Sequence, residues 1–97
     1  MRLEGKVFSG HLLLQIDTVK REDDEKSIPM QLEACLIDLC HKMNVPIPLW
    51  LKKNTREFAR FHQTIFFDGQ FYEKINFDKF QIRWLEETSE STETMND

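Results

Sequence analysis

The sequence predicts a two-layer α+β domain over residues 1–85 and a disordered acidic tail at 86–97. Three observations carry this. Apolar residues alternate at period two near both ends of the folding part, and one central stretch repeats at helical spacing. The last twelve residues hold a single apolar side chain, Met95, too little to repay the entropy of ordering them. Strands and helices segregated in this way along a chain are the pattern of an α+β arrangement. The length of 97 residues allows one domain. A chain of this size withdraws roughly 60% of its unfolded surface from water. Its hydrophobic fraction of 40% is enough for one core, with little left over for a deep reaction chamber.

Leu3, Gly5 and Val7 alternate in residues 2–8, and Leu12, Leu14 and Ile16 alternate with Leu13, Gln15 and Asp17 in 11–19. Both stretches read as half-buried strands. Ser9-Gly10 supplies the turn, since glycine tolerates positive φ, and a β-hairpin follows. The run KREDDEKS has nothing apolar to bury and reads as a solvated loop. Ser27 can cap a helix, and Pro29 is tolerated in its first turn. The helix is expected over 29–43. Leu32, Cys35, Leu36, Leu39, Cys40 and Met43 form its apolar stripe, Asn44 provides a left-handed stop, and Pro46 prevents continuation.

Val45 to Leu51, held extended by Pro46 and Pro48, is either a short edge strand or a strap. Asn54 with Glu57 three positions on resembles a capping box, so a short helix is expected from Thr55 to Phe61 with Phe58 and Phe61 on its inner side. Thr64 to Phe67 reads as a strand, Asp68-Gly69 as a turn, and Gln70 to Phe77 as a loop with a helical turn. Phe80, Ile82 and Trp84 then alternate in a closing strand. The expected product is a mixed sheet of four strands, with the main helix across one face and the second helix at its edge. This order of elements resembles a β-grasp arrangement, an analogy of topology that brings no function.

Net charge is −4, and it is unevenly placed: residues 86–97 carry −5 and residues 1–85 carry +1. The acidic pI is therefore a property of the tail and does not exclude an anionic partner for the domain. Cys35 and Cys40 stand five positions apart on a helix, about 7.5 Å along its axis and on different sides. They cannot bridge one another and are expected as reduced, buried thiols. No signal-peptide pattern opens the chain, and no run approaches the apolar length of a membrane span. A cytoplasmic location without membrane association is the expectation.

No glycine-rich phosphate loop, nucleophile elbow, HExxH or CxxC occurs, so the chain is expected not to be an enzyme. Cys40 and His41 are neighbours pointing to different sides of a helix, poor geometry for shared ligation. Neither a metal nor a cofactor is expected. The one positive signal is Pro46 to Phe67, which holds one of two Trp and four of eight Phe. Lys53, Arg56 and Arg60 fall at i, i+3 and i+7 and can line one helix face, with Lys52 and Trp50 beside them. Basic and aromatic side chains so placed suit a protein or other anionic partner. Alternatively they suit nucleic acid, whose phosphates take the charges while a ring stacks on a base. They can also form an ordinary solvated face, or pair with the acidic tail or loop.

The C-terminal part resembles a group of small proteins from clostridial and related Firmicutes bacteria. The pattern runs from Pro48 to Glu87 through Trp50-Leu51, Asn54, Glu57-Phe58, Arg60, Thr64, Phe66, Phe71, Glu73, Ile75, Phe77-Asp78, Ile82 and Glu86-Glu87. Phe61 and Trp84 depart from it, where a His and a smaller aliphatic residue are expected. The resemblance implies a bacterial cytosolic origin and brings no activity. Within the pattern, Glu57, Thr64, Glu73 and Asp78, with Arg60, are polar positions among aromatics. They are either a functional cluster or caps and ion pairs, such as Glu57 or Asp78 with Arg60. Catalysis would need them to line one cleft.

Overall fold

A computed structural model describes residues 1–86; the disorder expected of the tail falls on residues outside this range save for Glu86. The elements are β1 (Arg2–Ser9), β2 (Leu12–Lys20), α1 (Ile28–Met43), α2 (Lys52–Phe61), β3 (Gln63–Phe67) and β4 (Lys79–Leu85), with a 3-10 turn at Asp68–Gln70. The α+β class and the order of hairpin, two helices and two strands are as the sequence predicts. The four strands lie in the order β2-β1-β4-β3.

All three pairings are antiparallel, which corrects the mixed sheet expected from the sequence. The second helix is the reason. Lys20 ends β2 opposite Arg2, and Gln63 opens β3 at the same end of the sheet, opposite Arg83. The helical connection therefore goes out along α1 and returns along α2. A single crossover would have delivered the chain to the other end and made β4 parallel to β1. The strand order is that of a β-grasp sheet, but the sense of its central pair is not.

The helix-covered face of the sheet holds Leu3 and Val7 from β1, Phe80 and Ile82 from β4, and Phe66 from β3. Cys35, Leu36, Leu39, Cys40 and Met43 of α1 close over them, with Phe58 from α2. Gly5 sets how close α1 lies: a Cβ there would stand 2.8 Å from both Leu39 Cδ2 and Met43 Sδ. The ends of α1 form as expected. Ser27 Oγ accepts from the Met30 N–H at 3.4 Å, and Asn44 stops the helix at φ 57°. Burial pushes the Cys40 thiol up to about 12 and the Cys35 thiol up as well; both are free and buried.

In β2 no residue is buried: Leu12 to Ile16 are exposed, and Asp17, Thr18 and Val19 are half-buried. Gln15, Asp17 and Val19 lie opposite Val7, Gly5 and Leu3, and the register shifts at Val7/Phe8. Leu12, Leu13, Leu14 and Ile16 are exposed by 65%, 47%, 50% and 50%. Polar residues can face the helix here because α1 supplies them with partners. Gln15 Nε2 donates to the Met43 carbonyl at 3.1 Å, and Asp17 pairs with Lys42 at 3.1 Å. Lys42 also donates to the Thr18 carbonyl at 2.9 Å, while the Thr18 N–H donates to Asp17 at 2.9 Å. The acidic loop is likewise pinned, through Arg21 to Asp23 at 2.7 Å and to Asp38 of α1 at 2.8 Å. Residues 44–51 contain no strand and form the strap.

Candidate functional site

Helix α2 starts at Lys52, three residues before the expected start, with Leu51 in the cap position and Asn54 in the first turn. Asn54 is therefore not the N-cap. Its Oδ1 does accept the Leu51 N–H at 2.9 Å, the return half of a capping box. The same oxygen accepts from Gln70 Nε2 at 3.0 Å, while Nδ2 donates to Thr64 Oγ1 at 2.7 Å and to the Ile65 carbonyl at 3.3 Å. The Thr64 hydroxyl in turn donates a hydrogen bond to Glu57 Oε1 at 2.6 Å. Gln70 completes the network by donating to the Leu49 carbonyl at 3.0 Å and accepting the Phe67 N–H at 3.1 Å. Strap, helix, β3 and the 3-10 turn are thus joined by buried polar groups that are fully partnered, the condition under which such groups stabilise a fold.

This attachment is narrow, and it leaves most of α2 facing water. Asn54 and Phe58 are its buried residues. Phe61, expected beside Phe58 on the inner side, is 59% exposed; a helix held by a seam this thin has no room beneath it for a second ring three positions on. Lys52, Arg56 and Arg60 are exposed and Lys53 is half-buried. Among the described residues none of the four has a carboxylate within ion-pair distance. Lys53 Nζ lies 4.7 Å from the centre of the Phe67 ring, and the Arg60 guanidinium 5.5 Å from that of Phe61.

Arg60 does not make the ion pairs considered for it. Glu57 is engaged with Thr64, and Asp78 accepts the Gly10 N–H at the hairpin turn. Glu73 lies elsewhere again, in a shallow hollow beside His41 and Asn44. Of the second candidate group only Glu57 and Thr64 meet, so the four polar positions do not line one cleft.

Trp50 is turned inward. Its Nε1 donates to Thr55 Oγ1 at 2.8 Å, and its ring packs against Phe58 at 6.2 Å and Phe66 at 5.6 Å. One edge of it remains in a groove of about 620 Å³ between α1 and α2, whose lining includes Ile28, Leu32, Ile37, Ala59 and Trp84. Trp84 lies parallel to Phe58 at 6.2 Å and against His62 at 4.9 Å. The groove is a feature that the sequence reading missed. Its signal was present: Ile28 and Ile37 are apolar yet lie off the core stripe of α1. The site thus has two parts: an apolar trough, lined by Thr55, Phe58 and Ala59 of α2 and with Glu33 of α1 as its charged lining residue, and the cations of α2 outside that lining.

Among the described residues no group of three or more His, Cys, Asp or Glu is placed to hold a metal ion. Compared with known proteins, the chain matches no family model, no curated protein and no solved structure.

Proposed function

We propose that the protein is a non-catalytic interaction module that binds an acidic protein segment across α2, as an accessory factor in the bacterial cytoplasm. One observation carries the reading: Lys52, Lys53, Arg56 and Arg60 have no carboxylate partner among the described residues, on a helix whose Thr55, Phe58 and Ala59 line an apolar groove. An amphipathic segment fits both parts, its apolar side in the groove and its carboxylates reaching the cations of α2, as in helix-in-groove recognition. Free buried thiols accord with a reducing compartment. No helix among the described residues is long and apolar enough to cross a membrane.

A second reading, nucleic-acid binding, is favoured by the pairs Lys53–Phe67 and Arg60–Phe61, which set exposed rings beside cations. Trp50, by contrast, has its ring against Phe58 and Phe66 and is not free to stack on a base. Amide chemical-shift titration separates the two. An acidic amphipathic peptide should perturb both α2 and the groove residues of α1, and the response should survive physiological salt. Oligonucleotides should perturb α2 and the end of β3 alone, with affinity falling steeply as salt rises. Silence toward both ligands removes the α2 face as a binding site.

A further inference from the structure

We propose that the hairpin half of β2 is a self-association seam: two copies of this chain pair antiparallel along residues 12–16, about a twofold axis normal to the sheet, and join their sheets into one. The sheet has two outer strands, β2 and β3, and they are guarded differently. On β3 the Ile65 carbonyl accepts from Asn54 Nδ2 at 3.3 Å and the Phe67 N–H donates to Gln70 Oε1 at 3.1 Å, so side chains occupy its outward groups. On β2 Lys42 and Asp17 occupy Thr18 in the same way. Among the described residues no side chain bonds to the backbone of residues 12–16. The stretch left open is the one with Leu12, Leu13, Leu14 and Ile16 toward solvent. Unguarded backbone beside exposed apolar side chains is what strand addition uses.

Charge names the occupant. A twofold seam sets each residue near the axis against its own copy, so a charge there repels itself. Val7 to Ile16 contains no Lys, Arg, Asp or Glu, in a chain that is 31% charged. An edge protected against its own kind carries a lysine or a proline at such a place. Gln15, the polar residue of the stretch, is turned to the Met43 carbonyl. The guarded half selects the antiparallel arrangement. Pairing centred on residues 12–16 leaves each Thr18 beside the partner's turn at Gly10-His11, outside the new ladder, whereas an in-register parallel pair would set Thr18 against its own copy. Five residues span about 17 Å, less than an interface of roughly 800 Å² per partner needs, so the dimer is reversible. β1 and β4 separate this seam from β3, to which α2 is fastened. On the binding reading above, the dimer therefore presents two α2 faces and holds a partner with two acidic segments by both; the pairing itself does not rest on that reading.

Sedimentation equilibrium of the full chain from about 10 µM to about 1 mM should show monomer passing to dimer and no further, since a twofold seam closes at two copies. Amide exchange at residues 12–16 should slow over the same range while that of β3 stays constant. Leu14→Lys and Leu14→Glu, at an exposed position, should each raise the dimer dissociation constant at least about tenfold. Their equimolar mixture should restore the dimer, because opposite charges then meet at the axis, and a variant that had merely lost its fold would not be rescued in this way. A monomer throughout, species larger than a dimer, or a mixture that dissociates like its parts would each overturn the proposal. An acidic peptide should bind the parent and Leu14→Lys alike. Should it bind neither while the parent dimerises, the α2 reading falls and the pairing stands; should it bind both while the parent stays monomeric, the reading stands and the pairing falls.

Discussion

The two helices are fastened to the same sheet by opposite means. α1 presses a stripe of Cys35, Leu36, Leu39, Cys40 and Met43 onto β1 and β4, with Gly5 clearing the space for it. α2 contributes one buried ring, Phe58, and is otherwise held by the Asn54–Thr64–Gln70 network. An apolar stripe uses a broad face of a helix, whereas directional hydrogen bonds hold it by a line. What the difference teaches is that α1 is consumed by the core and α2 is presented by it, with the flank bearing Lys52, Arg56 and Arg60 left to solvent.

Leu39→Ala should test the apolar fastening most severely. Leu39 is fully buried, and its truncation is expected to cost about 3–4 kcal/mol as a cavity opens against Gly5 and Phe80. Urea unfolding monitored by tryptophan fluorescence would measure it, and a loss below about 1 kcal/mol would mean that α1 is not seated as described. Asn54→Ala tests the polar fastening. It strands the Gln70 amide and the Leu51 N–H and should cost about 2–3 kcal/mol. Its signature is local: amide exchange should accelerate at the strap, α2 and β3 before β1. Uniform acceleration would show that α2 is not a separately held unit.

Smaller effects are expected on the presented face. Lys52→Glu with Arg56→Glu should leave stability within about 0.5 kcal/mol of the parent while abolishing the low-salt response to acidic peptide. A large loss of stability would instead mark these residues as part of the fold.

A further set of effects concerns pH. A backbone N–H from Thr18 and then Lys42 hold Asp17 below its ordinary value of 3.8, and Arg21 does the same for Asp23. Both carboxylates are depressed in the folded state, so their contribution is present above 3.8 and is lost as pH falls through their lower folded values. At the other extreme Cys40 is raised to about 12 from 9.0. The unfolded thiol therefore ionises first, and stability should decline as pH rises from about 9 toward 12. Denaturation midpoints across pH would show both limbs. A flat alkaline limb in the parent, or one unchanged in Cys40→Ala, would contradict the burial of that thiol.

The same contrast explains what could be read in advance. α1 was legible to its ends because each signal is local: Ser27, Pro29 and Asn44 are punctuation, and the stripe has a helical period. The strands near the core were legible from alternation in Leu3-Gly5-Val7 and Phe80-Ile82-Trp84. The facing of β2 was not. Leu12, Leu13 and Leu14 are all apolar and give no parity, and the partners that make Gln15 and Asp17 acceptable beside α1 come from Met43 and Lys42, 28 and 25 residues further along the chain. Asn54 misled for a related reason. Asparagine favours the cap position in isolation, but its four partners, spread from residue 51 to 70, place it in the first turn. At the site, the basic spacing of 53, 56 and 60 was visible and the inward turn of Trp50 was not, since that depends on Thr55 and on Phe66 across the strap.

The grip of Lys42 and Asp17 on Thr18 bears finally on how the molecule behaves in crowded solution. An outer strand with bare backbone invites another chain to add to it. Here the backbone at Thr18 is occupied by side chains on both its donor and its acceptor, so at this outer strand addition is directed to the other half of β2. That half carries Leu12, Leu13, Leu14 and Ile16 toward solvent. Colloidal stability should therefore hinge on a few residues at the hairpin end. Leu14→Lys should raise the concentration at which light scattering departs from that of a monomer, and Lys42→Ala should lower it.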